Sequence, residues 1–468
     1  MYCLAVGCPY PYIGGGHKRT FEVLKYLSDF EVIPILCIPY SDLIFTVVLE
    51  EIHKLGNFIH VLKELERFNV MIPNELYENL ENISQNIQHY LDLFQKKGMS
   101  AMISSFSKPI QGFKDNISFA KDFFTRMIQN NRISLSKPKF IYSMDGSPSF
   151  VITGAFLAKS LKQRLYIQLQ LEPFKSLREL IINDWITRVA FGKQKIFREI
   201  VRLLLLISQS TFSFSRHSYS YALHNNLDGL LAVSEAPLMI SGLDSWANKK
   251  GIKVKVVRPG NAVEEEISRK YADEEERHNL LQKKEDIAVY WTRLHSSKGL
   301  FDILPVARKL ATEEYRLVII GRFDNIYEKR IFFRICEEQK LKNIEYLGWL
   351  PRKDLFDIVS RSKVLIYPSH SDSFSLVVLE ALFLGCSVVA YDIPAIKSVY
   401  NGLKPVRIVR EYDYKAMAEE AIRILKRDIS EHEEEHLDHD FMNFLKLHSS
   451  WKNVAKADLN AIKEMIDH

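Results

Sequence analysis

Short apolar runs recur along the chain, each closed by a Gly, a Pro or a polar turn and followed by residues whose apolar positions return every third or fourth place. YCLAVG at 2–7, EVIPILCI at 31–38, PKFIYSMDG ahead of Ala155, RLYIQLQL at 164–171, DGLLAVS ahead of Ala236 and VKVV at 254–257 are of this kind. Unbroken apolar runs followed by helical periodicity predict buried strands of a parallel sheet joined by crossover helices. Residues 42–135 are mostly helical in pattern and read as crossover helices and surface insertions. After Asn261 a charged stretch, SRKYADEEERHNLLQKKED, interrupts the series. It resumes with strands IAVYW (287–291), YRLVII (315–320), IEYLG (344–348), KVLIY (363–367) and CSVVAY (386–391), and helices are expected near 299–311, 327–339, 352–360 and 376–384. The pattern predicts an α/β chain of two doubly wound domains, 1–260 and 261–440. A closing helix over about 442–467, within 441–468 and containing Trp451, is expected to cross back to the first domain.

A chain of 468 residues, 47% apolar and 26% charged, has the make-up of a globular protein large enough for an interdomain cleft. Five cysteines, odd in number and without metal-ligand spacing, point to a reducing compartment rather than a disulfide framework. The N-terminus has no basic leader, and no apolar run nears the ~20 residues that span a bilayer, so a cytoplasmic protein is expected. A net charge of +5 does not call for nucleic acid. Its distribution matters more. Residues 173–225 interleave apolar side chains with Lys175, Arg178, Arg188, Lys193, Lys195, Arg198 and Arg202, which reads as a surface for anionic lipid headgroups or as ordinary helices with snorkelling cations. EHEEEHLDHD at 431–440 reads as a solvated acidic face. It spells H-E-x-x-H through His432, Glu433 and His436, a zinc-protease pattern, but the surrounding carboxylates and the lack of apolar flanks argue against that chemistry, and no metal site is expected.

Candidate chemistry gathers at the ends of strands. After the first strand, CPYPYIGGG leads into the helical HKRTFEVLKYL. Such a glycine loop lets backbone N–H groups reach a phosphate, because Gly15 and Gly16 carry no side chain to hold a ligand away. The spacing differs from the dinucleotide fingerprint, and a plain turn is the alternative. In the second domain, YPSHSDSFSLVVLEALFLG at 367–385 reads as strand end, Pro-Ser turn, polar loop and helix. Asp372 and Glu380 bracket the helix start, where unpaired N–H groups and a partial positive charge suit a phosphate; simple helix-start chemistry is the competing reading. WTRLHSSKG places Arg293 and Lys298 after the domain's first strand, and Gly321 follows its second. Two cations beside a helix N-terminus can neutralise a diphosphate, and carboxylates accept hydrogen bonds from sugar hydroxyls.

These stretches resemble a family. RLHSSKG, VIIG, YLGWLPRKDLFDIVSRSKVLIYPS, DSFSLVVLEAL and GCSVVAYD, together with GGGHKRTFEVLKYL, DGLLAVS and VVRPGN, are similar to the retaining, nucleotide-sugar-dependent glycosyltransferases of family four. The most specific mark is a pair of acidic residues with seven residues between them, ahead of an Ala. The resemblance implies the GT-B architecture of two facing Rossmann-like domains. It also implies transfer of a sugar from a nucleotide-sugar donor to an acceptor hydroxyl, with retention and without a metal or other cofactor. The acceptor would be a glycan or a lipid-linked molecule, the latter with a peripheral position at the cytoplasmic membrane face. By the same likeness Arg293, Lys298 and Asp372 would carry the reaction. The donor site would comprise Gly15, Gly16, Arg293, Lys298, Gly321, Asp372, Ser373, Phe374, Ser375, Leu376 and Glu380, with Glu380 on the ribose. The chain departs from the family in three places. Asp372 stands for a Glu, and Ser373 and Ser375 stand for common glycines. Gln168, Gln170 and Glu172 follow the strand after which the first domain often supplies a His, leaving His17 and His217 as spatial candidates. A non-catalytic nucleotide-sugar-binding or scaffold protein of the same fold is the alternative.

Overall fold

The computed structural model describes residues 1–11, 15–53, 57–92, 118, 121, 125, 138–173, 214–271, 274–324 and 326–467. Two parallel sheets of six strands each organise the chain. The first holds β1 (Tyr2–Val6), β2 (Ile33–Cys37), β3 (Phe140–Ser143), β4 (Arg164–Leu169), β5 (Leu227–Ala232) and β6 (Lys253–Val256), in the order β2-β1-β3-β4-β5-β6. The second holds β7 (Glu285–Trp291), β8 (Arg316–Ile320), β9 (Ile344–Gly348), β10 (Ser362–Tyr367), β11 (Ser387–Tyr391) and β12 (Val406–Val409), in the order β12-β11-β10-β7-β8-β9. The central strands are apolar runs buried on both faces, as helices on either side of a parallel sheet require.

Seven helices shape the cleft and brace the two sheets: α1 (Gly15–Leu27), α2 (Glu265–Tyr271), α3 (Glu274–Leu281), α4 (Arg352–Arg361), α5 (Leu376–Phe383), α6 (Ile429–His436) and α7 (Trp451–Asp467). The charged stretch after Asn261 forms α2, which rests on α5, and α3, which rests on α6. The expected closing helix is two helices, His439–Leu447 and α7, with Trp451 at the start of the second rather than inside one long rod. α7 packs on α1 and β5, and its Trp451, Val454, Leu459, Ile462 and Met465 complete the first sheet's core. Beneath that face Arg19 of α1 is buried with Asp458 of α7. The guanidinium donates to Asp458 Oδ1 at 2.7 Å and to the Gly260 carbonyl at 2.8 Å, and the Tyr142 hydroxyl donates to Asp458 Oδ2 at 2.7 Å. The basic stretch expected to meet a membrane falls almost wholly outside the described residues. Among those described, no helix is long and apolar enough to cross a membrane.

The acidic segment 431–440 is not simply a solvated face. His432 and His436 project inward from α6 and are fully buried, with ring centroids 4.4 Å apart. A nitrogen of His432 lies 2.9 Å from the Gly385 carbonyl. Arg277 donates to His436 Nδ1 at 2.8 Å, so that nitrogen is an acceptor, and Nε2–H serves Ser387 Oγ at 3.1 Å. These are neutral structural histidines. Burial, reinforced by the cations around them, drives both below the ordinary imidazole value, His432 to about 3. A depressed folded-state value means that the unfolded chain takes up protons first. Stability from these residues is complete above pH ~6.5 and is lost as pH falls towards 3. About 2 kcal/mol from His432 alone is expected to be gone by pH 5. The thermal midpoint should therefore drop between pH 7 and 5, with a flatter profile in His432→Asn; identical profiles would refute the assignment.

Candidate donor site at the facing sheet edges

In open parallel sheets a ligand sits beyond the carboxyl ends of the strands, where strand order reverses. The second sheet reverses between β7 and β10, whose following loops interlock. The His370 N–H donates to the Ser297 carbonyl at 3.0 Å. Gly299, at φ 77°, lies so close to the Pro368 carbonyl that a Cβ would stand 2.1 Å from its oxygen. Gly321, at φ 144°, is as tightly placed, since a Cβ there would stand 1.9 Å from the Thr292 carbonyl oxygen. It closes the β8 edge onto β7 and acts through the backbone.

This interlock brings Lys298 to Asp372. The ammonium donates to Asp372 Oδ2 and to the Ser371 carbonyl, both at 2.8 Å, and the Tyr367 hydroxyl donates to the same carboxylate oxygen. Burial alone would raise the Asp372 carboxyl; Lys298 and the hydroxyls around it outweigh burial and hold it below the usual carboxylate range. The loop carrying Asp372 is itself anchored by His370. That ring is held by Asp302 at 2.8 Å and Glu411 at 2.5 Å and stacks on Tyr412. Burial works against the charged ring, but the two carboxylates prevail and raise its pKa.

α5 begins where this loop ends. Ser375 caps it from the left-handed region at φ 68°, a conformation costing about 1 kcal/mol without glycine. The Phe374 ring turns inward against Tyr400 and His448, a packing role rather than a ligand contact. At the other end of α5, buried Arg277 donates to the carbonyls of Leu382 at 3.0 Å and Phe383 at 3.1 Å, and Lys284 to that of Leu384 at 2.6 Å. Two cations thus answer the negative end of the helix dipole, while the positive end faces the cleft. Glu380, buried one turn into α5, is paired with Arg352 at the start of α4, and Lys18 lies 3.9 Å away. Glu264 joins both cations, 2.5 Å from Lys18 and 2.8 Å from Arg352.

The first sheet reverses between β1 and β3, and its edge faces α5. A Cβ on Gly15 would stand 3.2 Å from the Leu376 side chain, so the glycines that begin α1, expected in a loop ahead of the helix, lie against the start of α5. Gly16 covers the Gln170 amide, 3.1 Å from Oε1 by the same measure. Gln170 donates to Thr20 Oγ1 at 3.1 Å and to the Met144 carbonyl, and Gln168 is buried with its side-chain amide 3.1 Å from the Tyr142 hydroxyl. Both glutamines are therefore structural. His17 sits within the field of Asp145, with burial lowering its pKa, while His217 is exposed. Burial also pushes the nearby Asp42 carboxyl up to about 6. Two residues tie this edge to the second domain's loop. Glu172 accepts from Ser371 at 2.9 Å and Ser373 at 3.1 Å, and Ser234 donates to the Ser373 carbonyl at 2.5 Å.

Of the residues expected at the site, the structure brings together Gly15, Gly16, Lys298, Asp372, Ser373, Ser375, Leu376 and Glu380. Arg293, on the loop after β7, has a 73% exposed side chain and pairs with Asp324 at 3.5 Å. Lys18, Glu264, Arg352, His370 and Glu172 were not singled out from the sequence as donor-site groups. Lys18 and Arg352 lie inside the stretches that carry the family resemblance, but only folding shows that both converge on Glu380.

In architecture this is the GT-B fold: two facing Rossmann-like domains with paired switch points across a cleft. Residues 272–437 match the family model of the glycosyl transferases group 1, so the second domain carries that family's pattern. An uncharacterised 41.2 kDa protein of the cps region of Klebsiella pneumoniae is 23% identical over 346 residues, 74% of this chain and 83% of the relative. Among solved structures, a glycosyltransferase from Rickettsia africae superposes with a TM-score of 0.60 at 14% identity, covering 100% of this chain and 99% of the other. HepE of Anabaena, solved with UDP and glucose, superposes at 0.56 with 11% identity and 99% of each chain covered.

Proposed function

We propose that the chain moves a hexose from a nucleoside diphosphate sugar, UDP-linked by analogy with the HepE complex, to an acceptor hydroxyl with retention of configuration. The observation that carries this reading is the convergence of Lys298, the α5 N-terminus and the glycines that begin α1 at one point of the cleft. As the bond from the anomeric carbon to the diphosphate breaks, its electron pair stays with phosphate oxygen. That charge falls to Lys298 and the unpaired N–H groups of α5. Glu380 receives ribose hydroxyls in exchange for part of its contact with Arg352, and Asp372 with Ser373 meets the sugar. Holding donor and acceptor together supplies much of the remaining acceleration. The acceptor oxygen bonds to the anomeric carbon on the face the diphosphate leaves, and its proton passes to the departing phosphate. Charge neutralisation in this scheme rests on protein cations, without a metal.

The test is thermal and chemical. UDP at a hundredfold excess over its Kd is expected to stabilise the protein by about 2.7 kcal/mol, and UDP-glucose, GDP-mannose or ADP-glucose should be split with release of nucleotide. A chain whose melting none of these shifts, and which splits none of them, is not a nucleotide-sugar transferase. The second reading, a nucleotide-sugar-binding protein without turnover, draws on the mutual pairing of Lys298 with Asp372 and of Arg352 with Glu380. It predicts the thermal shift without nucleotide release.

A further inference from the structure

Glu172 has no part in the transfer scheme, yet it stands between the two halves of the donor site. It follows β4, two residues beyond the Gln170 side chain that packs under Gly16. From there its carboxylate crosses to the second domain, where Ser371 and Ser373 flank Asp372. Both partners are neutral hydroxyls. Among the described residues no cation pairs with Glu172, whereas Asp372, Glu380 and Glu264 each face a Lys or an Arg. Holding two serines does not require a charge: a glutamine would accept from one hydroxyl and donate to the other. A half-buried carboxylate that meets no cation among the described residues gains little from its charge on its own and becomes useful when positive charge develops beside it.

Such charge develops in glycosyl transfer. When the bond to the diphosphate breaks, the anomeric carbon and the ring oxygen become cationic. We propose that Glu172 is the negative charge that the first domain sets against that centre. The inference rests on the nucleotide-sugar reading. Glu172 forms no bond and takes no proton: the electron pair leaves with the diphosphate, the acceptor oxygen bonds to carbon, and the acceptor proton goes to phosphate. Stabilising the transition state and not the bound donor, it should act on kcat and not on KM.

Full-length wild type, Glu172→Gln, Glu172→Ala and Ser371→Ala are compared, with UDP as the binding probe and UDP release from UDP-glucose as the rate. Glu172→Gln keeps the hydroxyl contacts and removes the charge. It should lose at least a hundredfold in kcat, with KM within about threefold and the UDP-induced thermal shift unchanged. Glu172→Ala should lose no less. Ser371→Ala removes one tie, keeps the charge and should stay within a few fold of wild type. A Glu172→Gln protein with wild-type kcat, or a Ser371→Ala protein as impaired as Glu172→Gln, would reduce Glu172 to an interdomain tie. If the wild type itself neither binds UDP nor releases it, and GDP-mannose and ADP-glucose fare no better, the nucleotide-sugar reading fails and takes this inference with it. A Glu172→Gln protein that turns over at the rate of an active wild type would sink the inference alone.

Discussion

Lys298→Ala is expected to lower nucleotide release about a thousandfold, the effect of removing one preorganised donor to a developing oxyanion. It should also destabilise the fold, since Asp372 keeps only hydroxyl partners in a site with little solvent. Breaking a buried pair from one side costs about 3 kcal/mol. Rate and stability must therefore be separated. The double variant Lys298→Met/Asp372→Asn removes the stranded charge as well, and most of the lost stability should return while the rate does not. Melting curves and UDP release on the same preparations decide the matter. A Lys298→Ala protein that still releases UDP within a few fold of wild type would remove the lysine from the reaction. A rate that recovers in the double variant would make its role purely structural.

The second large effect is expected far from the cleft. Asp458→Ala leaves Arg19 fully buried without a counter-charge, with its Nη1 already lacking a hydrogen-bond partner, and deprives Tyr142 of an acceptor. Loss of about 3 to 5 kcal/mol is expected. It should appear first as release of α7 under limited proteolysis, because α7 is held to the first domain by this pair and its apolar face. Replacing both partners, as in Arg19→Met/Asp458→Leu, should recover much of the loss, since apolar groups of similar volume tolerate that site better than one orphaned ion. α1 carries both Arg19 and the glycines at its start. A smaller thermal response to UDP in Asp458→Ala would mark the route by which the brace reaches the site, and unchanged proteolysis would refute the bracing role.

What the sequence disclosed depended on how local each feature was. β10 and α5 were readable because an apolar run stops at Pro368 and helical periodicity resumes at once. Lys298 and Asp372 were readable because each lies on a loop after a strand, and the doubly wound order sets those strands side by side. β12 escaped notice: it has four residues, sits at the sheet's edge, and Arg407 interrupts its apolar run. The break before Trp451 left a usable signal in His448-Ser449-Ser450, where Ser450 Oγ accepts from the Lys452 N–H at 3.2 Å. His432 and His436 were hidden by their neighbours. The carboxylates do lie on the outer side of α6, where Glu433 meets Gln282 and Glu435 meets Arg407 and Arg427, while the histidines four apart share the inner face. The grouping of Lys18, Glu264 and Arg352 had no local sign. Lys18 and Glu264 are 246 positions apart, and Glu264 and Arg352 are 88 apart. Only packing of the two domains makes them neighbours.

The return of α7 to the first sheet also orders events during synthesis. The ribosome completes β1 to β6 and then the whole second sheet before it makes Trp451, Val454 and Leu459, which close the first core. Until then the nascent first domain carries an open apolar face on α1 and β5 and an Arg19 without its partner. Domains usually mature in the order of their translation; here the second can finish first, and the first must wait for it. A stall or a stop codon just ahead of Trp451 would leave the second domain folded and the first exposed to chaperones and proteases. Loss of residues 451–467 would then appear in the cell as low abundance of the protein.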